Sequence, residues 1–193
     1  FAADLDIRTD LGSYDVIVNG ELAFRETEVT SYYDERTVTF LIGSSVSFDG
    51  LLTERGFPAS FGPCLQLTEL QCEPVGPLHS QMVVTLRAFD PEHTDAVAEF
   101  TSHFPKCHGG PIGRNNGEEL GIADLNQTMD GREIEVPVGT DRLYWACGVT
   151  PSLAALNAKL PLVLSYTPGH AMITDIPTES LYEEQRLDGG IER

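Results

Sequence analysis

Lysine is scarce in this sequence: among 193 residues it occurs only as Lys106 and Lys159. Twelve lysines and arginines stand against thirty aspartates and glutamates, which gives a formal charge of −18. A protein that binds nucleic acid neutralises phosphates with lysine and arginine, and anionic membrane surfaces attract the same basic side chains. The charge balance therefore argues against both as partners.

Long apolar runs are also missing. No stretch approaches the roughly 20 apolar residues that a membrane-spanning helix needs, so no membrane insertion is predicted. The chain begins at Phe1 without a methionine, and we interpret it as a fragment of a longer protein. Its length fits one domain. We predict a single β-rich domain over residues 1–176 and an acidic C-terminal tail over residues 177–193.

Cysteine is too rare to define a disulfide scaffold in a chain of this length. The four cysteines are Cys64, Cys72, Cys107 and Cys147. Cys64 and Cys72 could close a short loop, and other pairings are open as well. Free buried cysteines behave as small apolar residues, and this interpretation is slightly favoured.

β-prone segments dominate what is present. Asn19-Gly20 separates two such segments, 15–18 and 21–24, and Asn-Gly accepts the positive φ angles of a tight hairpin turn. Residues 81–89 are long and β-branched, which predicts a central strand. Arg132 to Val138 alternates and contains Pro137, which predicts an edge strand because proline cannot donate to a β-ladder. Further strands are predicted over residues 37–42, 45–48, 143–149 and 162–166.

One clear helix is predicted near residues 91–103. Asp90 can cap it, and Pro91 at the first helical position loses no hydrogen bond. A second short helical turn is predicted over residues 152–158. The expected fold is mainly β, with seven or more strands in an antiparallel β-barrel or sandwich, one short helix and long loops.

A small polar cluster near the end of this helix was weighed as a reactive site. His103, Cys107 and His108 could contribute to a zinc site or a thiol nucleophile with its base. A zinc site usually has two closely spaced pairs of ligand residues, and the sequence has only one such pair. A nucleophile and its base rarely come from neighbouring residues, because the two usually meet across the fold. We predict no bound metal, no cofactor and no catalytic role for these three residues, so the protein is not expected to be an enzyme.

Binding residues are predicted in two polar segments. Tyr32 and Tyr33 offer flat rings with polar tips, which suit contacts with sugars or proteins. Arg114, Asn115 and Asn116 lie in a loop-rich region, where they make turns or contact a receptor. These five residues are the predicted receptor-binding set.

A dimer interface is predicted at Phe57 and Phe61. Both lie in a turn-rich stretch over residues 56–63, where a core of strands cannot easily bury them. Exposed apolar patches usually mark interfaces, and a two-fold dimer uses the same patch twice. The predicted assembly is a homodimer.

The overall layout resembles the spike domain of astrovirus capsid proteins, with an avian astrovirus as the nearest match. The resemblance comprises a strand-dense acidic body, central loops rich in glycine and asparagine, few lysines and the acidic stretch Glu179-Ser180-Leu181-Tyr182-Glu183-Glu184. It implies a dimeric surface spike that attaches the virion to a glycan or protein receptor of the host cell and is recognised by antibodies. It also implies assembly in the host cytoplasm, free cysteines and no glycan at Asn126.

Two other functions stay open at this stage. A carbohydrate-binding or adhesive module of a secreted protein would carry disulfides and could carry a glycan at Asn126. A small hydrolase would use a thiol or metal site at Cys107 and His108.

Overall fold

A computed structural model describes residues 2–184, and these contain seven strands and three α-helices. All strand pairs are antiparallel, in a three-stranded and a four-stranded sheet. The strands are β1 Tyr14–Val18, β2 Glu21–Glu26, β3 Phe61–Gln71, β4 Gln81–Phe89, β5 Gly113–Arg114, β6 Asp141–Ala146 and β7 Leu162–Tyr166. The helices are α1 Asp49–Glu54, α2 Thr94–Ser102 and α3 Val149–Asn157.

The three-stranded sheet has the order β2-β1-β7. The predicted hairpin is confirmed: Val18 pairs with Glu21 across a turn in which Asn19 has φ 51° and Gly20 has φ 85°. β7, predicted over the same residues, pairs with the other edge of β1. Tyr14, Val16 and Val29 form the small core of this sheet.

The four-stranded sheet has the order β3-β4-β6-β5. β4 covers the predicted residues and is central, with β3 and β6 as neighbours. One face of the sheet carries an aromatic core around Trp145, Phe48, Phe89 and Phe104, called here the Trp145 cluster. The other face packs around Leu86, Leu120 and Tyr144.

The predicted antiparallel β fold is confirmed by these two sheets. Within residues 2–184 they do not close into a barrel, and helices are more frequent than predicted. The predicted helix is confirmed as a 3₁₀ turn, Pro91–His93, that leads into α2. The Asp90 side chain accepts a hydrogen bond from the Glu92 amide at 2.9 Å. The predicted second helical turn is α3, which begins three residues earlier.

Two predicted strands near Gly43 are wrong. Residues 37–44 are irregular, and Val38 and Phe40 are 74% and 80% exposed. The Ser44 side chain accepts a hydrogen bond from the Val46 amide, which starts a 3₁₀ turn over Ser45–Phe48. That turn leads directly into α1, so the segment bends where a strand would continue.

The predicted edge strand over residues 132–138 is also wrong. Only an isolated bridge between Gln127 and Glu133 forms there. Ile134 and Val136 pack against the core around Tyr144, whereas Val138 is fully exposed. The alternation therefore reports burial of one face of an irregular segment. The strand predicted over residues 143–149 ends earlier, at Ala146, because α3 begins at Val149.

Phe57 and Phe61 are half-buried against the two faces of the four-stranded sheet. Phe57 packs on the Trp145 cluster with its ring 5.0 Å from that of His93. Phe61 opens β3, where it pairs with Ala88, and packs on the core around Tyr144. The homodimer and its interface stay predictions.

The start of the predicted tail packs against the end of α2. Leu181 contacts the Trp145 cluster, and the ring of Tyr182 stacks on His103 at 4.7 Å. The Glu183 amide donates to the His103 carbonyl at 2.8 Å, and Lys106 Nζ lies 2.9 Å from Glu183 Oε1. Residues 185–193 of the predicted tail lie outside the described residues. Among residues 2–184, no helix is long and apolar enough to span a membrane.

Candidate active site around His108

A glycine contact joins two distant loops. The carbonyl oxygen of Lys106 occupies the space that a Cβ atom on Gly43 would need. Only glycine permits such a close approach of two backbones. Residues 42–44 are therefore held beside residues 106–108.

His108 lies at this junction, with its backbone in the left-handed region at φ 77°. Burial lowers the pKa of its ring from 6.5, although the backbone of Gly43 acts in the opposite direction. The Nε2 atom is buried and has no hydrogen-bond partner among residues 2–184. A neutral imidazole that donates through one nitrogen presents the other as an acceptor. His108 is thus suited to take up a proton.

The N-terminus of α3 lies next to this nitrogen. A Cβ atom on Gly148, the residue before α3, would lie 3.9 Å from His108 Nε2 and 3.8 Å from the Gly43 carbonyl oxygen. Among residues 2–184, no side chain caps α3 at this end. The Thr150 amide donates to the Cys147 carbonyl at 3.0 Å and Pro151 has no N–H, so it is mainly the positive end of the helix dipole that favours a bound carboxylate here. A proton acceptor and an anion-binding element are therefore neighbours.

A buried ion pair fixes the loop that carries Gly43. Arg87 lies near the end of β4, and its side chain is fully buried. Its Nη2 donates to Asp49 Oδ2 at 3.0 Å and its Nη1 donates to Ser45 Oγ at 3.2 Å. Its Nε lies 2.8 Å from Asp49 Oδ1, an ion-pair contact outside hydrogen-bond geometry. The loop is thereby tied to the central strand.

Aromatic rings surround the same guanidinium. Its central carbon lies 5.2 Å from the centroid of Trp145 and 5.6 Å from that of Phe48, so both rings stabilise the cation. Burial raises the pKa of Asp49, although the charge of Arg87 acts in the opposite direction. Removing one member of such a pair would leave the other charge buried without compensation.

The thiol of Cys107 does not match a nucleophile. It is buried in the Trp145 cluster, and burial raises its pKa, whereas nucleophilic thiols have lowered values. His103 belongs to the contact with Tyr182 and Glu183. Of these three residues, His108 has a buried ring nitrogen without a hydrogen-bond partner among residues 2–184, and this nitrogen lies beside the N-terminus of α3. All four cysteines are free, and residues 2–184 contain no cluster of three or more metal-ligating side chains.

The predicted receptor-binding residues lie against different cores. Tyr32 and Tyr33 are half-buried on the three-stranded sheet. Arg114 Nη1 is 2.6 Å from Asp95 Oδ1 at the edge of the four-stranded sheet. Asn115 adopts a left-handed turn conformation, and together with Asn116 it lines a surface cavity. None of the five is part of the His108 site.

A family model supplies the decisive comparison. The model of the D-glutamate cyclase family matches residues 38–175, which include every residue of the His108 site. The chain belongs to the D-glutamate cyclase family. It is also similar to three bacterial proteins, each carrying the name "Putative hydro-lyase".

The similarity to these relatives extends over most of the chain. The protein of Arthrobacter sp. (strain FB24) is 38% identical over 188 residues, which cover 95% of this chain and 70% of the relative. That of Bacillus subtilis (strain 168) is 38% identical over 185 residues, or 93% and 72% of the two chains. That of Acinetobacter baumannii (strain ACICU) is 36% identical over 183 residues, or 91% and 68%.

These matches overturn the functional predictions from sequence. The resemblance to an astrovirus spike was wrong, and so were the predicted host attachment, antibody recognition and virion location. The prediction that the protein is not an enzyme was wrong as well, because the family and its relatives carry enzyme names. An acidic, loop-rich, antiparallel layout recurs in unrelated proteins, and function depends on a specific site.

Four important residues of the site were not recognised from sequence. Gly43 lay between two predicted strands, and neither Gly148 nor Asp49 was assigned a role. Arg87 carried the usable signal. A lone arginine inside a β-branched central strand requires a buried partner, because an uncompensated buried charge is costly.

Proposed function

We propose that this protein is an enzyme that expels water from a small carboxylic acid, and that it cyclises D-glutamate. The observation that carries the proposal is the buried, unpartnered Nε2 of His108 beside the N-terminus of α3. The family match supplies the substrate. His108 is the proton-transfer group, and the positive end of the α3 dipole attracts a substrate carboxylate.

The reaction joins the amino group of D-glutamate to the carbon of its side-chain carboxylate. One carbon–nitrogen bond forms and one carbon–oxygen bond breaks, which yields a five-membered lactam and water. Two protons leave the ammonium group and end on the departing oxygen. A base with a lowered pKa is neutral near pH 7 and can accept the first proton, and its conjugate acid can return it to the leaving oxygen.

The glycines and the helix position the substrate for this transfer. Because Gly148 has no side chain, the backbone at the N-terminus of α3 lies close to His108 Nε2. A carboxylate held at the N-terminus of α3 is stabilised by the helix dipole. This local attraction supports binding of an anionic substrate by a chain of charge −18.

The names of the relatives support a second candidate. A hydro-lyase eliminates water between two carbon atoms, and such a reaction also needs one base and delivery of a proton to a leaving hydroxyl. The His108 site offers the same groups for it. The two candidates differ in their products, a lactam or an alkene.

The test measures both products. The protein is incubated with D-glutamate, and lactam is quantified by chromatography with L-glutamate as a parallel substrate. A set of small 2- and 3-hydroxycarboxylic acids is screened for alkene formation. His108→Gln should abolish turnover, whereas His79→Gln, which changes an exposed side chain, should not. Alkene without lactam would favour the second candidate. Lactam formation unaffected by His108→Gln would overturn the assigned site.

A further inference from the structure

A second possible binding site lies at the other end of β6. Arg142, near the start of this strand, lines a surface cavity of about 330 Å³. Gly148 of the His108 site follows the end of the same strand. The cavity and the site proposed for catalysis thus lie at opposite ends of β6. The volume of the cavity falls within the range of pockets that hold small molecules.

Arg142 is a half-buried cation without a carboxylate partner in the part of the chain that the structure describes. Its Nη2 donates to the amide oxygen of Asn126 at 3.0 Å. By comparison, Arg114 pairs with Asp95 and Lys106 pairs with Glu183. In a chain with thirty acidic residues, a positive charge left unpaired at a cavity wall is available to an anion.

The rest of the cavity combines fixed polar groups with an apolar wall. The backbone of Asn115 is held by two bonds: its amide donates to the Arg142 carbonyl at 2.8 Å, and its carbonyl accepts from the Tyr144 hydroxyl at 2.9 Å. Asn116 and Thr140 add polar side chains to the lining. The apolar wall comprises Leu125, Val136, Pro137 and Val138.

From this arrangement we propose that the cavity binds a small organic carboxylate with an apolar body. The carboxylate pairs with Arg142, the side-chain amides of Asn115 and Asn116 donate hydrogen bonds, and the apolar body lies against Val136 and Val138. The lining thus offers polar groups that can fix a carboxylate and apolar side chains that can contact its body. The inference does not depend on the reaction proposed for His108.

Benzoate is the probe, and its binding is measured by calorimetry and by ligand-observed NMR. Benzyl alcohol has a similar apolar body without the charge, and its affinity should be lower than that of benzoate by a factor of about ten or more. Arg142→Gln should weaken benzoate binding by about tenfold or more. Arg55→Gln removes an exposed cation that stacks on Phe100 and should leave binding unchanged.

Val138→Asp gives a second test that does not disturb the fold, because Val138 is fully exposed. Its carboxylate at the cavity wall should repel benzoate and weaken binding. Equal affinity for benzoate and benzyl alcohol would overturn the proposal, as would binding that neither variant changes. Binding lost in His108→Gln but kept in Arg142→Gln would assign benzoate to the catalytic site and would also overturn it.

Discussion

Gly43 and Lys106 approach so closely that the Lys106 carbonyl oxygen fills the position of a Cβ atom on Gly43. This contact joins the loop before α1 to the turn that carries His108. The backbone of Gly43 in turn interacts with the ring of His108 and acts on its pKa. The orientation of the proposed base therefore depends on a residue without a side chain.

Gly43→Ala should disrupt this junction. The added methyl group meets backbone, which cannot rotate away, so the loops must separate. We expect a loss of about 1–3 kcal/mol in the free energy of unfolding, as for overpacked cores, together with a fall in kcat. Gly50→Ala is the matched control, because no atom lies within 4 Å of a Cβ there and the residue is in α1. It should stabilise the helix by roughly 0.5–1 kcal/mol. Urea denaturation measures both, and equal effects would contradict the packing argument.

Asp49→Asn should lower the free energy of unfolding, because it leaves the buried charge of Arg87 without its partner. The amide cannot balance the charge of Arg87, whose side chain is fully buried. Breaking a buried pair by removing one partner typically costs about 3–5 kcal/mol. Asp34→Asn removes the acid of an exposed pair with Arg36 and should change stability very little. Thermal and urea unfolding give the comparison, and similar values for the two variants would show that the Arg87 pair does not anchor the loop.

The pH dependence of activity should report His108. Burial lowers its pKa below 6.5, so kcat/KM should rise with pH along a limb centred below 6.5 and level off above it. The stability follows the same direction. His108 binds a proton more readily in the unfolded chain than in the native protein. Its contribution to the free energy of unfolding is therefore fully present above about pH 6.5 and is lost as the pH falls below that value. His108→Gln should reduce this slope, and an unchanged slope would exclude His108 as its source.

Several elements of the fold could be predicted because their determinants are local. The Asn19-Gly20 turn, the capping by Asp90 and the β-branched run of β4 each lie within a few residues of what they determine. β3 was missed because Gly62 and Pro63 near its start are turn residues, and its pairing with β4 decides its conformation. Exposed apolar residues misled the prediction over residues 37–42, where no neighbouring strand pairs.

The site could not be predicted because its contacts join distant parts of the chain. Arg87 reaches Asp49 across 38 positions, and Gly43 meets Lys106 through backbone alone. The free nitrogen of His108 results from burial, which no short motif encodes. The mistaken viral resemblance relied on composition and layout, and neither contains this geometry.

If the predicted homodimer forms, we expect its interface at a surface other than Phe57 and Phe61. Phe57 and Phe61 are half-buried, whereas five apolar side chains between residues 38 and 46 are exposed by 47% to 80%. They are Val38, Phe40, Leu41, Ile42 and Val46. A contiguous exposed apolar segment of this kind usually marks an interaction surface.

Phe40→Ser should therefore shift a dimer toward monomer in sedimentation equilibrium at micromolar concentration. Phe40 is 80% exposed, so the substitution removes interface area without opening a cavity in the core. Phe24→Ser is the matched control: Phe24 is 59% exposed on β2, away from this segment in sequence. A dimer that persists in Phe40→Ser and dissociates in Phe24→Ser would place the interface on the three-stranded sheet instead. Because the segment contains Gly43, a dimer formed through it would also restrain the loop beside His108, and Phe40→Ser should then lower kcat in parallel with dissociation.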